Sequence, residues 1–293
     1  MRLATVQYAG ETLPAVVGDG DAIHLVRDIL SSPPATMIEL IAGGNDMLAA
    51  LAADSVNSVE GATLLAPIPR PSRCVYCVGW NYLEHFEEGK GKRGDNYEPV
   101  AIPDFPTLFS KPPTSVTGPD SGVFHPAPHS EQLDWEVELA VIIGRGGRNI
   151  SQEDAMSHVY GYTIGVDVSV RDLQRKHGQQ WFKGKSLDTH CPLGPWIVTA
   201  DEIPDPYNLH LELSVNGDVK QSDSTSLMVF QIPRIIEEFS IGMALEPGDI
   251  ILSGTPSGIG YARTPPEFMV VGDEMKATIS GIGELVNHIV SMP

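Results

Sequence analysis

The chain has 293 residues, 42% of them apolar, enough to bury a sizeable core in one large domain or in a small domain joined to a larger one. Its 19 basic residues face 38 acidic ones, a formal charge of −19 without a basic stripe, which argues against nucleic acid and against anionic membrane surfaces as partners. No apolar run approaches the ~20 residues that span a bilayer, no signal-peptide core precedes the first strand pattern, and three cysteines fit a reducing compartment. A cytoplasmic protein is expected.

In the first part of the chain, residues 2–8 and 12–17 read as strands joined around Gly10-Glu11, and residues 22–26 as a third. Helical patterns over 37–42 and 47–53 are broken by Gly43-Gly44. The proline-rich stretch from Ala66 to Pro71 marks a boundary, giving a small α+β domain over residues 1–70 and a larger one over 71–293. No catalytic constellation falls in the first.

Cys74 and Cys77 have C-x-x-C spacing, but no second pair follows at zinc-site spacing, so the apolar run 74–78 reads as a buried strand. A helical turn over 83–88 would place His85 and Glu88 on one face. A carboxylate holding one imidazole nitrogen frees the other as a general base; an exposed histidine on an acidic surface helix is the alternative. Residues 89–106, with Lys90, Lys92 and Arg93 close together, form a loop long enough to be a lid. Residues 107–111 read as a short strand, with the direction of Lys111 open. Phe124, His125, Pro126 and His129 read as loop residues.

Residues 133–144 are the strongest strand pattern. Leu133, Trp135, Val137, Leu139, Val141 and Ile143 share one face; Asp134, Glu136, Glu138, Ala140 and Ile142 share the other. The second face starts acidic and ends apolar, which puts Glu136 and Glu138 at the mouth of an apolar interior. Two carboxylates so placed repel, and a divalent cation between them removes the penalty; a solvated polar face is the alternative. Ser151 to Asp154 resembles a capping box opening a helix to about residue 160. From 161 to 174 the pattern again alternates, and Asp167 sits opposite Ile164, Val166, Val168 and Val170. Three carboxylates without cysteine or clustered histidine suit Mg²⁺ or Mn²⁺ better than zinc.

Gly184-Lys185-Ser186 fails the P-loop pattern because residue 179 is Gln, and residues 144–149 fail the dinucleotide fingerprint. Beside a metal, Lys185 suits a carboxylate or enolate oxygen instead. An amphipathic helix is expected over 230–243, with Ile232, Ile235, Ile236 and Phe239 as its stripe. The strand 250–252 then runs into a glycine-rich loop, 253–260, that could offer N–H groups and the Thr255 hydroxyl to an anion.

Together these stretches resemble the fumarylacetoacetate hydrolase family. The resemblance rests on Gly79-Trp80-Asn81-Tyr82 with His85 and Glu88, Asp134 to Ala140, and Asp167 with Arg171-Asp172 and Gln174. Trp181, Lys185 to Asp188, Gly194-Pro195 and Ser253 to Gly258 complete it, over about residues 71–290. It implies an α+β, mainly β fold: a mixed β-roll or β-sandwich with a small N-terminal domain. It assigns Glu136, Glu138 and Asp167 as ligands of Mg²⁺ or Mn²⁺, His85 and Glu88 as base and partner on a lid helix, and Lys185 as the lysine beside the metal. Tyr82, Arg171, Gln174 and Thr255 become substrate contacts. Where larger animal members carry a further Asp ligand this chain has Asn81, as in the small bacterial acylpyruvases.

The activity so implied is hydrolytic C–C cleavage of a β-diketo acid such as an acylpyruvate or fumarylpyruvate, in aromatic-compound catabolism, by a homodimer acting on a 2-oxo acid. Oxaloacetate decarboxylation and isomerisation of a 2-hydroxyhepta-2,4-diene-1,7-dioate are the alternatives within the family. A protein merely stabilised by a divalent ion is the non-enzymatic one.

Overall fold

The computed structural model describes residues 1–53, 57–92, 101–177 and 180–293. Residues 93–100 of the expected lid, and positions 178 and 179, lie outside the described residues.

Two mixed sheets make the body of the fold. Along the larger, the strands run Ile23–Leu25, Glu11–Val17, Arg2–Tyr8, Cys191–Thr199, Val159–Val166, Val137–Ile143, Ile250–Leu252, Val75–Gly79 and Thr107–Lys111. The smaller runs Asp218–Ser224, His210–Val215, Glu274–Ile279, Gly283–Ser291 and Gly122–His125. Most pairs are antiparallel, but Ile250–Leu252 lies parallel to Val75–Gly79, and Gly283–Ser291 parallel to Gly122–His125. The first strand joins the larger sheet directly, with Leu3 opposite Ile197.

The alternation read in residues 133–144 explains how the layers close. Val137, Leu139 and Val141 enter one apolar cluster with Leu211, Leu213 and Leu285 of the smaller sheet. Ala140 and Ile142, on the opposite face, enter a second cluster with Leu40 and Ile41. Those two belong to the helix Met37–Ala42, which is followed by Gly44–Ala53. Both faces of Val137–Ile143 are therefore covered, and Glu136 and Glu138 are buried rather than solvated.

Four local expectations change. Residues 133–144 split into Leu133–Asp134, paired with Ser169–Val170, and Val137–Ile143. The Ser151-capped helix covers only Gln152–Ala155, followed by a 3₁₀ turn, because the chain from Val159 is drawn into the sheet between two neighbours. The alternating run from residue 161 becomes the helix Arg171–Lys176 at its end. Finally, Phe124 and His125 belong to a strand, paired with Gly283–Ser291. The amphipathic helix is Ile232–Ser240, and its four expected apolar residues are buried.

Candidate active site

Glu136, Glu138 and Asp167 each offer a carboxylate oxygen, and the three oxygens lie within 4.8 Å of one another. Glu136 and Glu138 come from adjacent same-face positions, and Asp167 from the end of the neighbouring antiparallel strand, where Val137 opposes Val166. The Asp167 amide donates to the Glu136 carbonyl at 2.8 Å, which fixes the register of the triad.

Cations surround two of these carboxylates. Lys185 Nζ reaches Glu136 Oε2 at 2.8 Å and Asp167 Oδ2 at 2.6 Å. Arg171 bridges Asp134 Oδ2 and Glu136 Oε1, both at 2.7 Å. Burial opposes charge on Glu136, but Lys185 and Arg171 outweigh it and hold the carboxyl below the usual range. Burial likewise works against the charge on Lys185, and Asp167 and Glu136 more than restore it, leaving its proton held more tightly than usual. Glu138 is the exception. Its carboxylate accepts from the Gly254 amide at 2.6 Å, and no lysine or arginine pairs with it among the described residues. Burial, then Asp167 and Glu136, push it well above the usual carboxylate range. A buried carboxylate without a cation, facing two others, fits a divalent metal, and its all-oxygen neighbours suit Mg²⁺ or Mn²⁺.

Lys111 is the site residue whose direction the sequence left open. It is fully buried, and its Nζ lies 2.7 Å from Asp167 Oδ1. It also donates to the carbonyls of Val168 at 3.1 Å, His190 at 2.8 Å and Lys185. It thereby ties the ligand segment to the helix Phe182–Lys185. A lysine closing an apolar strand pattern just before Pro112-Pro113 was the available signal. Asp134 was also missed as a site element: its carboxylate binds Arg171 and accepts from the Gly260 and Tyr261 amides at 2.7 and 3.0 Å.

His85 and Glu88 lie on the helix Leu83–Glu88, and His85 Nδ1 is 2.9 Å from Glu88 Oε1. The other Glu88 oxygen accepts from the Gly258 amide at 2.8 Å, so the glycine-rich loop braces the pair. With Nδ1–H donated to Glu88, Nε2 is the basic nitrogen. His85 is buried, which removes the surface-helix alternative, and lies within electrostatic reach of Glu136.

Gln174 meets the centre through Arg171, whose Nη1 it accepts at 3.3 Å. The Tyr82 hydroxyl is buried without a hydrogen-bond partner among the described residues, and burial and then Glu138 hold its proton on. Thr255 is engaged by the fold: its hydroxyl donates to the Val137 carbonyl at 2.9 Å and accepts from Gln221 at 2.8 Å. Asn81 is spent likewise, on the backbone of Phe230 and Ser253. Cys77 is a buried core residue and Cys74 is partly buried, both as free thiols.

A buried tricarboxylate centre with a lysine at its side and a braced histidine on the helix Leu83–Glu88, carried on mixed sheets, could hold a divalent cation. The profile of the fumarylacetoacetate (FAA) hydrolase C-terminal family matches residues 74–290, and the chain belongs to that family. It is 45% identical over 273 residues to "Oxaloacetate tautomerase YisK" of Bacillus subtilis, covering 89% of this chain and 88% of that protein. It is 42% identical to human "Oxaloacetate tautomerase FAHD2A, mitochondrial", covering 96% of this chain and 88% of that one. A fumarylacetoacetate hydrolase from Exiguobacterium antarcticum superposes with a TM-score of 0.84 at 37% identity, each chain fully covered. Among the described residues no helix is long and apolar enough to cross a membrane.

Proposed function

We propose that the protein is a Mg²⁺- or Mn²⁺-dependent tautomerase that interconverts the enol and keto forms of a 2-oxo dicarboxylate of the oxaloacetate type. The observation that carries the reading is a base dyad, His85–Glu88, set against a buried cationic and metal-fitting centre. The names of the two relatives support the isomerase-type alternative over the C–C hydrolase expected first from the sequence.

Tautomerisation moves one proton between the carbon beside the ketone and the ketone oxygen. Glu136, Glu138 and Asp167 would hold the metal, which when bound supplies positive charge that favours the enolate. His85 Nε2 takes the proton from carbon and then returns it to the enolate oxygen to give the enol, the reverse order giving the ketone, while Glu88 keeps the ring oriented and its other nitrogen protonated. Lys185 gives its ammonium to the developing enolate oxygen, and Arg171 keeps Glu136 in place. Four carboxylates, Asp134 included, stand against three cations here, so the centre would be positive with a divalent ion bound and would favour a dianion even in an acidic protein. Within the same proposal, residues 1–70 are an accessory domain, 71–293 the catalytic one, and the working form is a cytoplasmic homodimer.

C–C hydrolysis is the second reading, favoured by the braced dyad, which could equally take a proton from water. One experiment separates them. Purified protein with Mg²⁺ is given the enol form of oxaloacetate and, separately, an acylpyruvate. Faster loss of the enol's ultraviolet absorbance without pyruvate release supports the tautomerase. Pyruvate from the acylpyruvate alone overturns it in favour of the hydrolase.

A further inference from the structure

A cavity of about 340 Å³ adjoins the helix Arg171–Lys176, lined by Lys92, Gln132, Arg175, Tyr261, Arg263, Thr264, Pro266 and Phe268. Three of these residues are cationic and none is acidic, in a chain where acids outnumber bases two to one. Two of the cations are already placed. Lys92 donates to the Ala262 and Arg263 carbonyls and to Thr264. Arg263 donates to the Gly258 and Lys220 carbonyls and pairs with Glu267. Arg175 differs: its guanidinium stacks on the Tyr261 ring at 4.7 Å and has neither a hydrogen-bond nor a carboxylate partner among the described residues. The side-chain amide of Gln132 is also unengaged there.

We propose that this cavity is a second anion site, distinct from the metal centre, that takes a small carboxylate- or phosphate-bearing molecule on the Arg175 fork. A planar guanidinium with open donors matches a two-oxygen anion, Gln132 adds a further donor, and Lys92 and Arg263 supply fixed positive charge. Pro266 and Phe268 give the rest of such a molecule an apolar wall. The site is one ring from the chemistry. Arg171 and Arg175 sit four apart on the helix Arg171–Lys176, and both guanidiniums stand 4.7 Å from the centroid of Tyr261. Arg171 in turn grips Asp134 and Glu136. The inference does not depend on which reaction the metal centre performs.

The test is calorimetric titration of metal-free protein, in low-salt buffer, with inorganic phosphate and separately with succinate. Wild type is expected to bind at least one of them at a single site, and the two arms tell phosphate from carboxylate. Arg175→Gln is expected to weaken binding about tenfold or more, the equivalent of one charge-assisted contact, with Arg175→Lys in between. Mn²⁺ affinity, measured in parallel, should be unchanged in both variants, which also reports that the metal centre is intact. No binding of either anion to wild type, or equal binding to wild type and Arg175→Gln, would overturn the proposal.

Discussion

At the scale of the residue, Lys111 illustrates how a charge is made permanent inside a fold. It gives Asp167 one ammonium while three backbone carbonyls hold that ammonium still, whereas Lys185 touches Glu136 and Asp167 with a side chain that can leave them for a substrate oxygen. Lys111→Met removes one of the two cations that meet the fully buried Asp167 carboxylate. Loss of one partner of a buried pair costs about 3–5 kcal/mol, so the urea midpoint should fall accordingly and Mn²⁺ should bind more weakly. A variant as stable as wild type would show that Asp167 does not need this partner. His85→Gln keeps the shape of the helix Leu83–Glu88 but removes the base, and should lower kcat about 10²–10⁴-fold with Mn²⁺ affinity kept. Undiminished turnover would remove His85 from the mechanism.

The element that most constrains the site is the loop after the strand Ile250–Leu252. Gly254 offers its amide to Glu138, and Gly258 offers its amide to Glu88, so one loop touches both the tricarboxylate centre and the partner of His85. Gly258 has φ +107°, and a Cβ there would lie 2.2 Å from the Lys220 carbonyl. Gly258→Ala must therefore shift the loop. We expect a stability loss above about 1 kcal/mol together with a fall in kcat, read by thermal melting and enol turnover on the same sample. A kcat loss without destabilisation would mean the loop moves freely and only the Glu88 contact matters. Gln221 stitches the same loop from the smaller sheet, donating to Thr255 and Pro256 while accepting from the Val137 amide. The hydroxyl of Thr255, which sequence alone offers to substrate, is thereby spent on holding strand and loop together.

For the whole molecule, the buried charges predict how stability responds to cations and to acid. A ligand bound only by the folded state adds stability, about 2.7 kcal/mol at a hundredfold excess over Kd. Mg²⁺ should therefore raise the melting temperature of wild type, and Asp167→Asn should abolish the rise; an equal rise in both would place the ion elsewhere. His190 adds an acid limb. It is fully buried, its Nε2 meets the Phe124 carbonyl at 2.8 Å, and burial, with Lys111 nearby, lowers its pKa to about 3 from 6.5. The folded state thus binds fewer protons than the unfolded one. Its contribution is present above pH 6.5 and lost as pH falls toward 3, at up to about 1.4 kcal/mol per pH unit. His190→Gln should flatten that slope relative to wild type in urea titrations between pH 6.5 and 4. Parallel slopes would show that His190 accepts its proton without unfolding the chain.

Much of this site was legible locally. Glu136, Glu138 and Asp167 stand out because carboxylates interrupt β-forming runs, and residue 85 meets residue 88 because helical geometry puts them on one face. The strand ends were less legible, since the turn of the chain into helix at Arg171 depends on what Gln132 and Leu133 offer across the gap. The sequence by itself picked out the three carboxylates, the spacing of residues 85 and 88 and the alternating strands, because side-chain chemistry and backbone periodicity are properties of neighbours along the chain. Only the tertiary structure decided that Lys111 points inward, that Thr255 and Asn81 are consumed by backbone, and that Glu138 has no cation beside it. Those facts depend on which distant segments bury one another, and burial is what sets the cost of a charge.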